Sequence, residues 1–140
     1  MSEVSEAIQA KCLAFSDRII KLNDYLLEQA AYKHHPSSFR HRTSRVPVHL
    51  QSVAALANQL LRSGTSIGAN NAEACNAISK ADFKSKSYIA FPETRESLYW
   101  IDLLHRNNYL DDKQYNSIYA DAEELVKLLT HRCKKLDNVE

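Results

Sequence analysis

The chain has 140 residues, with 18 Lys and Arg against 17 Asp and Glu and a formal net charge of +1, which makes one domain with room for a buried core and no global pull toward nucleic acid or lipid. With 2 glycines and 3 prolines it lacks the frequent turns of a strand-rich fold, so few, long helices are expected. No apolar run reaches the roughly 18 residues of a membrane span, Glu3 and Glu6 lie where a signal peptide would be basic, and Cys12, Cys75 and Cys133 form no C-x-x-C pair, which points to a cytoplasmic chain with reduced thiols and no zinc site.

Val4, Ile8, Phe15, Ile19, Leu22 and Leu26 step by three and four, with Lys11 or Cys12 in the single gap, and trace a first helix over about residues 3–29. From about 32 to 46 the chain carries Pro36, Ser37, Ser38, Thr43 and Ser44 without an apolar period, the composition of an exposed loop. Pro47 suits a first helical turn, and Val53, Leu56, Leu60, Ile67, Ala74 and Ile78 continue as a second helix over about 47–77. Ser79 with Asp82 approximates a capping box, flanked by an Ile78–Phe83 staple, and opens a third helix over about 79–106. Its stripe of Phe83, Ser87, Ala90, Thr94, Ser97, Ile101 and Leu104 is small in the middle, which suits a close helix approach. Asn107 and Asn108 end it. Asp111 with Gln114, between Leu110 and Tyr115, caps a fourth helix over about 112–136, along Tyr115, Ile118, Ala122, Leu125, Leu129 and Leu136. The short second and third connections force antiparallel neighbours, so the expected fold is all-α, an up-down-up-down four-helix bundle. Pro92 removes a helical N–H, frees the carbonyl of Tyr88 and costs on the order of 3 kcal/mol in a regular helix, so a kink is expected there.

Catalytic constellations are missing from this pattern. A di-iron bundle needs Glu-x-x-His on two helices, and no such motif occurs. His34, His35, His41 and His49 follow no common zinc spacing, and His105 and His131 sit near helix C-termini, where they complement the dipole. Gly64 to Gly68 lacks the Gly-Lys-Ser/Thr of a phosphate loop and reads better as a small-x-x-x-small pair that lets another backbone come close. No enzyme, cofactor or metal is expected. Charge clusters in two places: Lys33, Arg40, Arg42 and Arg45 form an acid-free tract with four histidines, extended by Arg62, and Arg132, Lys134 and Lys135 end the fourth helix. Basic segments of this kind attract phosphate backbones, and Tyr32 and Phe39 add stacking surface. A solvated loop with no target accounts for the same tract equally well.

The second half carries a resemblance. Gln59 to Asn70 (QLLRSGTSIGAN), then Ala72-Glu73-Ala74, Ser79-Lys80-x-Asp82-Phe83, Tyr88-Ile89-Ala90, and Glu93 to Glu96 leading to Tyr99-Trp100, resemble the bacterial four-helix-bundle family of 23S rRNA intervening-sequence proteins over about residues 56–135. That family is similar in fold to the accessory variability proteins of diversity-generating retroelements. The resemblance implies a non-enzymatic bundle assembled as a homopentamer, with a nucleic-acid role and, in the retroelement relatives, RNA and a reverse transcriptase as partners. Arg62, Asn70 and Glu73 match the family's recognisable polar positions; with Gly64, Gly68 and Asn71 they make a structural seam or an interface. The loop of about residues 30–50 is longer than expected of the family, which leaves the basic tract outside the resemblance. Two functions stay open: a homo-oligomeric accessory protein that binds nucleic acid, RNA foremost, is favoured by the family and the basic tract, and a protein-interaction bundle without nucleic acid by the near-zero net charge.

Overall fold

The computed structural model describes residues 2–34 and 48–139 and, of residues 32–34, 48 and 49, the backbone alone. Four helices follow one another: α1 Glu3–His34, α2 Val48–Cys75, α3 Lys80–Arg106 and α4 Asp112–Asp137. The fold is an all-α bundle. Neighbours pack in the cyclic order α1, α2, α3, α4, with α1 resting on α2 more broadly than on α4. Every neighbouring pair is antiparallel. Gln9 near the start of α1 meets Asn71 near the end of α2, Ser63 of α2 meets Ser97 of α3, Tyr115 of α4 meets Asp102 of α3, and Lys11 of α1 meets Glu124 of α4.

The apolar steps place the core. Ile8, Cys12, Phe15, Ile19 and Leu26 are buried on α1, so the single gap in its stripe is filled by Cys12, and Lys11 stays outside. Val4, expected in that stripe, is exposed. On α3 the buried set is Ser87, Ala90, Thr94, Ser97, Ile101 and Leu104, small residues that let α2 and α3 approach closely. Two expectations need correction. Helix α1 runs on to His34, so Tyr32, Lys33 and His34 belong to it and not to a loop; polarity marks exposure, and an exposed helix end is as polar as a loop. Ile78 is 95% exposed, so it is no staple for Phe83.

The helix ends explain their own positions. Ser79 accepts from the N–H of Asp82 at 3.1 Å, while the Asp82 carboxylate reaches the N–H of Ile78 at 3.2 Å, one residue earlier than a reciprocal box requires. Asp111 and Gln114 form the full box, with bonds of 2.7 and 2.9 Å. Between these helices, Asn108 adopts φ 62°. Its N–H reaches the carbonyl of His105 at 3.0 Å and that of Tyr109 reaches Leu104 at 2.9 Å, the two bonds of a Schellman turn, with asparagine taking the left-handed position.

Pro92 does not end α3, which stays helical from Lys80 to Arg106. Beside it, Thr94 and Ser97 donate back to the carbonyls of Phe91 and Glu93 at 2.6 and 2.8 Å, a back-bonding that tends to bend a helix. Pro92 and Tyr88 are both exposed, so the carbonyl that lost its partner lies on the watered face. Pro92→Ala is expected to raise stability by about 1–3 kcal/mol in urea unfolding, since alanine restores the bond and the propensity.

Gly64 and Gly68 face α1. A Cβ on Gly64 would lie 3.1 and 3.3 Å from the two γ carbons of Ile19 and 3.4 Å from Phe15, both fixed in the core, whereas on Gly68 its nearest neighbour is Cys12 Cβ at 3.4 Å. The two glycines therefore answer alanine differently. Gly68→Ala should gain about 0.5–1 kcal/mol from helix propensity, and Gly64→Ala should lose about 1 kcal/mol because overpacking exceeds that gain. Denaturant melts of the two variants check the sign of each.

Candidate nucleic-acid interface

Of the candidate basic residues, Arg62, Arg132, Lys134 and Lys135 have described side chains, and Arg132 is buried while the other three are exposed. Arg40, Arg42 and Arg45 lie outside the described residues, and Lys33 is described by its backbone alone, in the last turn of α1. Lys134 and Lys135 are exposed in the last turn of α4. Because α1 and α4 are antiparallel, their C-termini stand at opposite ends of the bundle, separated by roughly 37 Å for about 25 residues of helix. Arg62 is exposed on α2, and its positive charge acts on Glu93 of α3, whose carboxyl is raised by burial first and by Glu96 next.

Arg132 is a correction. It was expected at a basic surface and is instead 8% exposed, in the interior position left open between Leu129 and Leu136 on the α4 stripe. Its Nη1 donates to Asn71 Oδ1 at 2.5 Å, and Asn71 Nδ2 donates to Gln9 Oε1 at 2.5 Å. Gln9 Nε2 in turn donates to the carbonyl of Gly68 at 3.3 Å. The guanidinium lies over the Phe83 ring, 5.3 Å from its centroid, so this one network ties α1, α2, α3 and α4 together. None of the ion pairs among the described residues includes Arg132, and its Nη2 is buried with no hydrogen-bond partner. Burial pushes the guanidinium below its ordinary value, and the sulfurs of Cys75, Cys12 and Cys133 oppose that. Burial likewise pushes the Cys12 thiol up to about 11, against the pull of Arg132, so it stays protonated and unreactive at neutral pH.

The seam of α2 divides in two. Asn71 is fully buried and bonded on both sides, whereas Asn70 is half-buried and returns to its own helix, at the Ser66 carbonyl, 2.8 Å away. Glu73 is exposed and pairs with Lys86 of α3, and the Ser97 and Ser63 hydroxyl oxygens lie 3.0 Å apart across the same helix pair. Those contacts hold helices within one chain. His105 stacks on Tyr115 with centroids 4.0 Å apart and meets Asp112 at 2.8 Å, which ties α3 to α4. Among the described residues no group of three or more His, Cys, Asp and Glu could hold a metal ion, and no helix is long and apolar enough to cross a membrane.

Gln9, Cys75 and Phe83 escaped the site reading altogether. Each looks ordinary alone, and only the spacing of Leu129 and Leu136, which requires an interior residue between them, could have pointed to Arg132 and so to its partners. Asn71→Ala would leave the buried Arg132 donor and the half-buried Gln9 acceptor unpaired, and is expected to cost about 3 kcal/mol in urea unfolding. Asn70→Ala is expected to stay within about 0.5 kcal/mol, since it removes one local bond at a half-buried site.

The comparisons with known proteins agree with this architecture. A sequence model of 23S rRNA-intervening sequence proteins matches residues 38–131. The matched span opens before the expected start near residue 56, so Arg40, Arg42 and Arg45 fall inside it rather than outside. A solved structure of a protein of unknown function from the S23 ribosomal protein family of Bacteroides thetaiotaomicron VPI-5482 is similar at 36% identity and a TM-score of 0.73, over 94% of this chain and 98% of that one. No curated protein matches the chain. By the matched span and this structural likeness, the chain belongs to the 23S rRNA-intervening sequence protein family.

Proposed function

We propose that the chain is a non-catalytic, cytoplasmic accessory protein that attaches to RNA through its basic segments, as a homo-oligomer of the pentameric kind, and that it docks a reverse transcriptase as the accessory proteins of diversity-generating retroelements do. The observation that carries this reading is the acid-free tract with Lys33, Arg40, Arg42 and Arg45, most of which lies within the span matched to a family described by 23S rRNA. Lys134 and Lys135 form a second, smaller patch at the far end of the bundle. Assembly has support of its own. Leu13, Ile20 and Leu27 are exposed on α1 at seven-residue steps, a row of apolar side chains that a neighbouring subunit would cover.

The mechanism is electrostatic. Each basic side chain laid against a phosphate releases a condensed counterion, and repetition of a weak patch around an oligomer multiplies the attachment. Arg132 takes no part, since it is buried, and the exposed Arg62 has the Glu93 carboxylate within its field.

A second reading, a protein-interaction bundle without nucleic acid, draws support from those same two arginines and from the apolar row on α1. Fluorescence titration with a structured 23S rRNA fragment at several salt concentrations separates the two. Binding is expected at low salt, and changing Arg40, Arg42 and Arg45 together to alanine should lower the slope of log K against log salt by roughly 2–3. Absence of binding at low salt, or capture of a protein partner that nuclease leaves intact, would favour the second reading.

A further inference from the structure

The interior charge on Arg132 opens toward a groove. Between the starts of α1 and α3 and the end of α4 lies a hollow of about 510 Å³, within the roughly 300–1,000 Å³ range of small-molecule sites. Ile8, Phe83, Leu128 and Leu136 form apolar walls, Arg132 is part of the wall, and His131 and Lys135 stand beside it. Among the described residues, no acidic one lines it. We propose that this groove binds a small carboxylate with an apolar body, its head on Arg132 and its tail along Phe83, Leu128 and Leu136.

Three observations converge on that chemistry. A guanidinium cannot shed its proton, so its burial calls for an anion or a full set of acceptors. Only its Nη1 arm has an acceptor, the neutral Asn71 carbonyl, while Nη2 is buried without one. The sulfurs that act on the charge, from Cys75, Cys12 and Cys133, belong to α2, α1 and α4, and Cys12 at least remains a neutral thiol at neutral pH, so it supplies no counter-charge. A carboxylate entering from the groove would accept from the free arm, with Lys135 adding a second positive charge at the side. Apolar walls favour a ligand whose remainder is hydrocarbon over phosphate or sulfate, which have no apolar body to lay along them. This inference goes beyond the RNA reading, and its test contains no RNA, so either can fail alone.

Isothermal titration with sodium octanoate, alongside 1-octanol and the carboxylate and amide forms of an acetylated Leu-Leu dipeptide, tests it. Saturable binding of octanoate or of the dipeptide carboxylate is expected, at least tenfold tighter than octanol or the amide, and which of the two acids binds better distinguishes a free acyl chain from a peptide C-terminus. Arg132→Met should abolish the preference for the acid, and Leu136→Trp, which fills the groove and leaves the charge in place, should weaken binding at least tenfold. If Arg132→Met does not fold, Leu136→Trp and the acid-to-alcohol comparison decide. No saturable binding, equal binding of acid and alcohol, or binding unchanged by Leu136→Trp would overturn the proposal.

Discussion

A guanidinium folded into the interior is the constraint around which one end of this bundle is arranged. Among the described residues Arg132 is the one charged side chain in the buried set, and it holds its charge at any pH the fold survives. Its acceptor is an amide from α2, which is itself positioned by an amide from α1, and its face is covered by an aromatic ring from α3. An apolar side chain at the same place would pack without asking for any of these partners. The directional demands of the guanidinium specify which residue of each helix must arrive, and so they set helix register as well as helix contact.

The remaining core is held by a different means. Where α2 meets α3 the inner residues are Ser63, Ser87, Ala90, Thr94 and Ser97, and the hydroxyls of Ser63, Thr94 and Ser97 return to carbonyls of their own helices while Ser97 also reaches Ser63. Small volume brings the backbones close, and the back-bonds satisfy Ser63, Thr94 and Ser97, while the buried Ser87 hydroxyl has no hydrogen-bond partner. Gly64 and Gly68 do the same for α1 without any polar atom. This bundle therefore gains close backbone packing at two of its seams instead of a thick layer of leucine, which leaves larger side chains such as Leu13, Ile20, Tyr88 and Tyr99 on the outside.

The fold was legible in the sequence because a bundle depends on period and punctuation, and both are local. The α3 stripe was readable residue by residue from Ser87 to Leu104, and the Asp111 and Gln114 cap from two side chains. Arg132 was misplaced for the opposite reason. Its type argues for the surface and its position for the interior, and position won because Asn71, Gln9 and Phe83, distant in sequence, supply what the charge needs. No one-dimensional reading weighs partners 61 residues away. The end of α1 was missed by five residues because polar residues such as Lys33 and His34 give no apolar period to follow, although a helix end needs none.

Topology then sorts the chemistry. Helix α1 ends and α2 begins at one end of the bundle, while Arg132 and its groove occupy the other, where α1 and α3 begin and α2 and α4 finish. Between them the α1–α4 seam is bridged on its surface by Lys11 with Glu124 and Arg18 with Asp121, pairs about half exposed, of the kind that contribute little to stability. The packing of α1 is correspondingly one-sided, firm against α2 and light against α4.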